Sequence, residues 1–223
     1  MADIPRIISV DDHVVEPPDL WTSRLPAKYQ DRCPRVERDS AVFNFEGGEF
    51  TYQKGVPGGA ECDWWLYDDL VYPFPKLSAA SGFETLDVEP VTFDQIRPGG
   101  WKQGDRLADM TANHVDASLC FPNVLPRFCG QTFLEREDKE LALLCVQAYN
   151  NWMIDEWCAG DGRGRLIPLT LIPLWDPAAA ALEVHRCADK GSFAVAFSEN
   201  PYHLGLPSIH DKDRFWDPFL TAC

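Results

Sequence analysis

Four short apolar runs set the terms for this chain: residues 6–10 ("RIISV"), 115–121 ("VDASLCF"), 165–173 ("RLIPLTLIP") and 193–198 ("FAVAFS"). They are nearly continuous rather than alternating, the pattern of strands buried on both faces. Helical stretches separate the last three. From Lys139 onward, Leu141, Leu144, Cys145, Ala148 and Trp152 recur at helical spacing and lay down one apolar stripe. In "DPAAAALEVHRCADKG", Asp176 is placed to cap, Pro177 suits the first turn and Gly191 the stop. Strands alternating with helices of this length predict βαβ units and a parallel sheet.

Residues 22–105 break that rhythm with Pro, Gly and aromatic side chains. In "VFNFEGGEFTY" the Gly47-Gly48 pair predicts a two-residue hairpin turn that sets Phe45 against Phe50 and Phe43 against Tyr52. The following "CDWWLYDDLVYPF" adds Trp64, Trp65, Tyr67, Tyr72 and Phe74. These rings read either as a small β-insert with its own aromatic core or as the lining of a substrate entrance, with Trp65 the candidate contact.

Composition narrows the class. At 223 residues the chain fits one domain or part of a larger one. With 20 Lys and Arg against 35 Asp and Glu, the net charge of -15 argues against nucleic acid as a partner. The start has no secretory pattern, and no run approaches the ~20 apolar residues of a membrane span. Eight cysteines form no Cys-x-x-Cys pair and fall largely within apolar segments, which suits free thiols in a reducing cytoplasm.

The first run leads directly into Asp11, Asp12 and His13. In an extended segment, residues two apart point the same way, so Asp11 and His13 can converge on one ion. The same residues also read as a solvated turn with a satisfied histidine.

The segments "DDHVVEPPDLW", "FPNVLPRFCGQTF", "AYNNWMIDEWC", "RLIPLTLIPLWDP" and "FSENPYHLGLPSIHDKDRFWDPF" resemble, in order, the amidohydrolase-related family of metal-dependent (β/α)8 barrels. That family includes the aminocarboxymuconate-semialdehyde decarboxylase-like enzymes. The resemblance implies an α/β fold, a TIM barrel of which this chain supplies about the first half. Residues 1–21 would carry strand one and the metal motif, 22–105 an insertion with the hairpin over the barrel mouth, and 106–223 strands two to four. The chain would then end inside the fourth helix. The family's first strand usually ends in His-x-His, with an acid sometimes replacing the first histidine, and the pair falls on Asp11 and His13. The cofactor implied is a divalent metal (Zn, Fe or Mn), one or two ions per site. Glu199 directly follows the fourth apolar run and looks like the bridging glutamate of two-metal members. It reads equally as a residue that ends the strand through loop hydrogen bonds. Asn123 and Arg127 follow the second barrel strand and could touch an anionic substrate at the mouth. Glu16 would orient His13 from behind.

The family's catalytic aspartate after strand eight, and its metal histidines after strands five and six, would lie beyond Cys223. The other half of the barrel is therefore an expected partner, as the same polypeptide or a second chain, and the whole as a homo-oligomer acting on a small molecule. The activity implied is metal-dependent hydrolysis of an amide, ester or thioester. The alternatives are nonoxidative decarboxylation of aromatic or unsaturated acids, and a half-barrel that serves only as a partner subunit.

Overall fold

The structure, a computed structural model, describes residues 5–223; residues 1–4 of the expected first segment lie outside the described residues. The chain opens with strand β1 (Ile7–Val14). An antiparallel sheet follows, of β2 (Arg35–Glu46), β3 (Glu49–Lys54), β4 (Ala60–Tyr67) and β5 (Leu70–Pro73) in the order β3-β2-β4-β5. Helix α1 (Gln103–Ala112) then leads into β6 (Val115–Pro122), and α2 (Gln131–Glu135) and α3 (Lys139–Trp152) lead into β7 (Leu166–Pro168). Helices α4 (Pro177–Asp189) and α5 (Asp217–Ala222) complete the order.

β1, β6 and β7 form a parallel sheet in that order. A single parallel bridge between Thr170 and Val195 attaches the fourth apolar run beyond β7. Each segment therefore pairs beside the one before it, as βαβ units require. The third and fourth runs make shorter ladders than their apolar length predicts. Pro168 and Pro173 remove backbone donors inside "RLIPLTLIP", and only Thr170 between them bridges to the fourth run.

The helices begin as their capping residues dictate. Asp138 accepts from the Leu141 N–H (3.0 Å) at the start of α3, and Asp176 accepts from Ala178 and Ala179 (3.0 Å each) at the start of α4. A π-helical turn over Met153–Trp157 continues α3, a feature with no signal in the apolar spacing.

The hairpin register pairs Phe45 with Phe50 and Phe43 with Tyr52, as the Gly47-Gly48 spacing predicts. The antiparallel sheet is covered differently on its two faces. Phe43 packs edge-on against Phe50 and Trp64 (ring centroids 5.2 and 6.4 Å) around a small cluster with Ala41, Cys62 and Leu66. Trp65, Tyr67 and Phe74 face the other way and join one core with Trp21, Leu125, Phe133, Tyr149 and Trp152. A wholly separate aromatic core for this sheet is therefore not what forms: one face is its own and the other belongs to the main core.

Burial on both faces, expected of the four runs, holds only in part. Ser118 and Cys120 of β6 are buried, but Ile8 and Val10 of β1 are 62% and 67% exposed and Phe193 is 87% exposed. β1 pairs on one side only, with β6, and nothing among the described residues covers these side chains. No helix among the described residues is long and apolar enough to cross a membrane.

Candidate metal centre

β1 and β6 pair in parallel with two register shifts, one between Ile7 and Ile8 and a bulge between Ser9 and Asp12 that inserts one extra residue into β1. Bulges re-aim side chains, and this one sits immediately before His13. Beyond it Asp12 pairs with Cys120 and His13 with Phe121. The Ser118 hydroxyl donates to Asp12 Oδ2 (2.6 Å), which ties Asp12 to the sheet. The His13 ring lies against Phe121 (5.8 Å between centroids), and Phe121 stacks in turn on Phe128 (6.4 Å, 19°).

The tautomer of His13 follows from its partner. Nδ1 lies 2.8 Å from the carbonyl oxygen of Pro122, which can only accept, so Nδ1 carries the proton and donates. Nε2 is left with its lone pair, 3.6 Å from Asp11 Oδ1. Two ligands ~2.1 Å from a tetrahedral ion stand about 3.4 Å apart, so this spacing suits one divalent cation between them. A backbone carbonyl on the second ring nitrogen is also the usual support of a metal-binding imidazole. A carboxylate with an imidazole suits Zn, Mn and Fe alike.

Glu16 does not touch the His13 ring directly. Its side chain is fully buried and accepts from the backbone N–H groups of Asn123 (2.8 Å) and Val124 (3.1 Å). Pro122, not Glu16, holds the His13 ring. Burial pushes the Glu16 carboxyl up to about 7, against the pull of its backbone hydrogen bonds.

The other expected site residues divide. Asn123 lies at the exit of β6 and donates through Nδ2 to the Ser78 carbonyl (2.6 Å), tying down the turn at Lys76–Ala79. Arg127 follows in the same loop with φ 56°, and its guanidinium donates to Glu135 Oε1 (2.7 Å). The substrate contact expected of Trp65 has no counterpart here. The ring is fully buried, edge-on to Trp21 (5.5 Å) and Phe93 (6.3 Å), so it presents nothing to a ligand.

Glu199 is exposed and just past the fourth apolar run. Burial pushes the Cys129 thiol up to about 12, and the Glu199 charge adds to that. Among the described residues no three His, Cys, Asp or Glu side chains converge on an ion-sized site. Asp11 and His13 approach each other, and no third such side chain among the described residues joins them.

A cleft of about 360 Å³ lies beside this corner, lined in part by Asp12, His13, Ser78, Arg97, Arg106 and Asn123. Its cations are already engaged. Arg97 pairs with Asp109, holding that carboxyl below its usual range, and Arg106 donates to the carbonyls of Gly99 (2.6 Å) and His13 (2.7 Å).

Sequence reading missed the Pro122 carbonyl, the Asp12–Ser118 bond and the Phe121–Phe128 stack. Each depends on which residue of β6 lies opposite which residue of β1, and the bulge shifts that register without a local signal.

Residues 62–223 match the amidohydrolase family model, and the chain belongs to that family. It is similar to the crystal structure of an amidohydrolase from Mycobacterium avium subsp. paratuberculosis K-10, with 21% identity and a TM-score of 0.52. That match covers 85% of this chain and 48% of the other, so the chain spans about half the length of that structure. At this identity the likeness shows the fold, a mixed α/β architecture of the amidohydrolase type. No curated protein matches the chain.

Proposed function

We propose that this chain is part of a metal-dependent hydrolase that acts on an amide, ester or thioester carbonyl of a small organic acid derivative. The observation that carries the reading is the corner where His13, its Nδ1 proton held by Pro122, turns a bare Nε2 toward Asp11 at 3.6 Å. Asp11 and His13 would hold the ion, Zn, Fe or Mn. Such an ion polarises a carbonyl and makes a water molecule more acidic. Around it, the chain's own residues position and exclude. Phe121 and Phe128 give an apolar flank to His13, and Asn123 ties the exit of β6 to the 76–79 turn. Arg127 is set to meet an anionic substrate, for which it would exchange its bond to Glu135.

The parallel order of β1, β6, β7 and the fourth run supports reading the chain as about the first half of a (β/α)8 barrel, with the antiparallel sheet as an insertion after strand one. The remaining strands would come from the same polypeptide or a second chain, and with them the other metal ligands and the catalytic aspartate. A cytoplasmic homo-oligomer completes the proposal; the seven buried free cysteines fit a reducing compartment.

One observation favours a second reading. Asp11 and His13 are the one pair brought within reach of a common ion among the described residues, and a single ion serves nonoxidative decarboxylation of aromatic or unsaturated acids as well as hydrolysis. The test is metal analysis of the assembled protein and of its His13→Ala variant, with esters, thioesters and aromatic acids assayed side by side. Loss of the ion and of carbonyl hydrolysis together in the variant is expected. Full metal content in His13→Ala would remove the foundation of both readings, and CO2 release from the acids alone would select the second.

A further inference from the structure

β1 and β6 leave their sheet side by side, and three consecutive residues at the exit of β6 are tied back to the β1 end. His13 donates to the carbonyl of Pro122, and the carboxylate of Glu16 accepts from the N–H groups of Asn123 and Val124. The loop that leaves this corner is strained. Arg127 has φ 56° with ψ -177°, and Cys129 has φ 50° with ψ 19°, conformations that side chains other than glycine rarely adopt. Such a backbone persists only where its surroundings over-determine it. Here the determinant is at hand: Glu16 is fully buried, so no water competes for its two amides, and Val124, Leu125 and Cys129 are buried beside them.

We propose that Glu16 is a positioning residue for His13. By holding residues 122–124 in place, its carboxylate keeps the Pro122 carbonyl on Nδ1 and so leaves Nε2 bare toward Asp11. Its effect on metal binding rests on the ligand reading of His13 given above; its effect on the imidazole tautomer does not.

Glutamine at position 16 would offer one oxygen and one NH2 group to two N–H donors, so one amide would lose its acceptor. Nitrogen-15 NMR and hydrogen exchange on the full chain after chelator treatment read the consequence without any metal. In the unaltered protein His13 is expected as the Nδ1–H tautomer, with the Asn123 and Val124 amides protected although they lie in a loop. In Glu16→Gln that protection should fall by at least about tenfold and His13 should move toward Nε2–H. The affinity for Zn2+ added alone should drop about 10–100-fold, as for other groups that support metal ligands. Glu16→Asp, which keeps the carboxylate on a shorter arm, should fall between. An Nε2–H tautomer in the unaltered protein overturns the proposal with no variant needed. So does a Glu16→Gln protein, however unstable to heat, whose tautomer and amide protection are unchanged. A shifted tautomer with unchanged Zn2+ affinity upholds the positioning role and removes His13 from the ligand set.

Discussion

At Glu16 burial outweighs two backbone hydrogen bonds, and the balance has a sign that can be measured. Its folded pKa, about 7, lies above the usual 4.5, so the folded protein binds this proton more tightly than the unfolded chain. The stability it adds is present below pH 4.5 and is lost as the pH rises through 7, on the order of 3 kcal/mol in all. Urea midpoints across that window should decline for the unaltered protein more steeply than for Glu16→Gln; equal slopes would refute the assignment. Trp65 is the other residue whose environment decides its role. Truncation to alanine in a fully buried aromatic site should cost about 3–5 kcal/mol of stability. If Trp65→Ala instead raised KM at unchanged stability, the entrance reading would return. The approach of Asp11 to His13 was legible from sequence because the two-residue period of a strand is local. Glu16 and Trp65 were not, because their partners, Asn123, Val124, Trp21 and Phe93, lie far away in the chain.

At the scale of elements, what the chain encodes locally is what forms as expected. The hairpin is the clearest case. Gly47 and Gly48 have φ 62° and 84°, the pair of positive values that a two-residue turn matched to strand twist demands. Gly47→Val should cost about 1–2 kcal/mol through backbone strain alone, since an added Cβ there meets no atom within 4 Å. A thermal midpoint unchanged in Gly47→Val would show that the turn does not hold the register. Helices α3 and α4 were legible for the same reason, α3 from its apolar stripe and α4 from the Asp176 cap. The parallel strands were legible as apolar runs but not in extent. Pairing between segments this far apart turns on where prolines remove donors and where a bulge falls, and neither Pro168 nor the bulge after Ser9 alters the apolar pattern.

For the whole molecule the decisive feature is the apolar surface left open on the first and fourth runs. Ile8 and Val10 on β1 and Phe193 on the fourth run expose most of their surface, and among the described residues no strand pairs with the other edge of β1. An open apolar edge is a template for pairing with another strand. In the half-barrel reading these side chains are the ones that further strands would cover, and until then they face water at about 25 cal/mol per Å² of apolar surface. The chain by itself should therefore associate reversibly as its concentration rises and should bind a hydrophobic dye. A lysine on the open edge, as in Val10→Lys, should suppress both effects with little change in thermal midpoint, because Val10 contributes almost nothing to the core. In the half-barrel reading, supplying strands five to eight, covalently or as a second chain, should suppress them in the unaltered protein as well. Sedimentation velocity over a concentration series distinguishes these outcomes. A sharp monomer that binds no dye at any concentration would mean that this face needs no cover, and the half-barrel reading would fall with it.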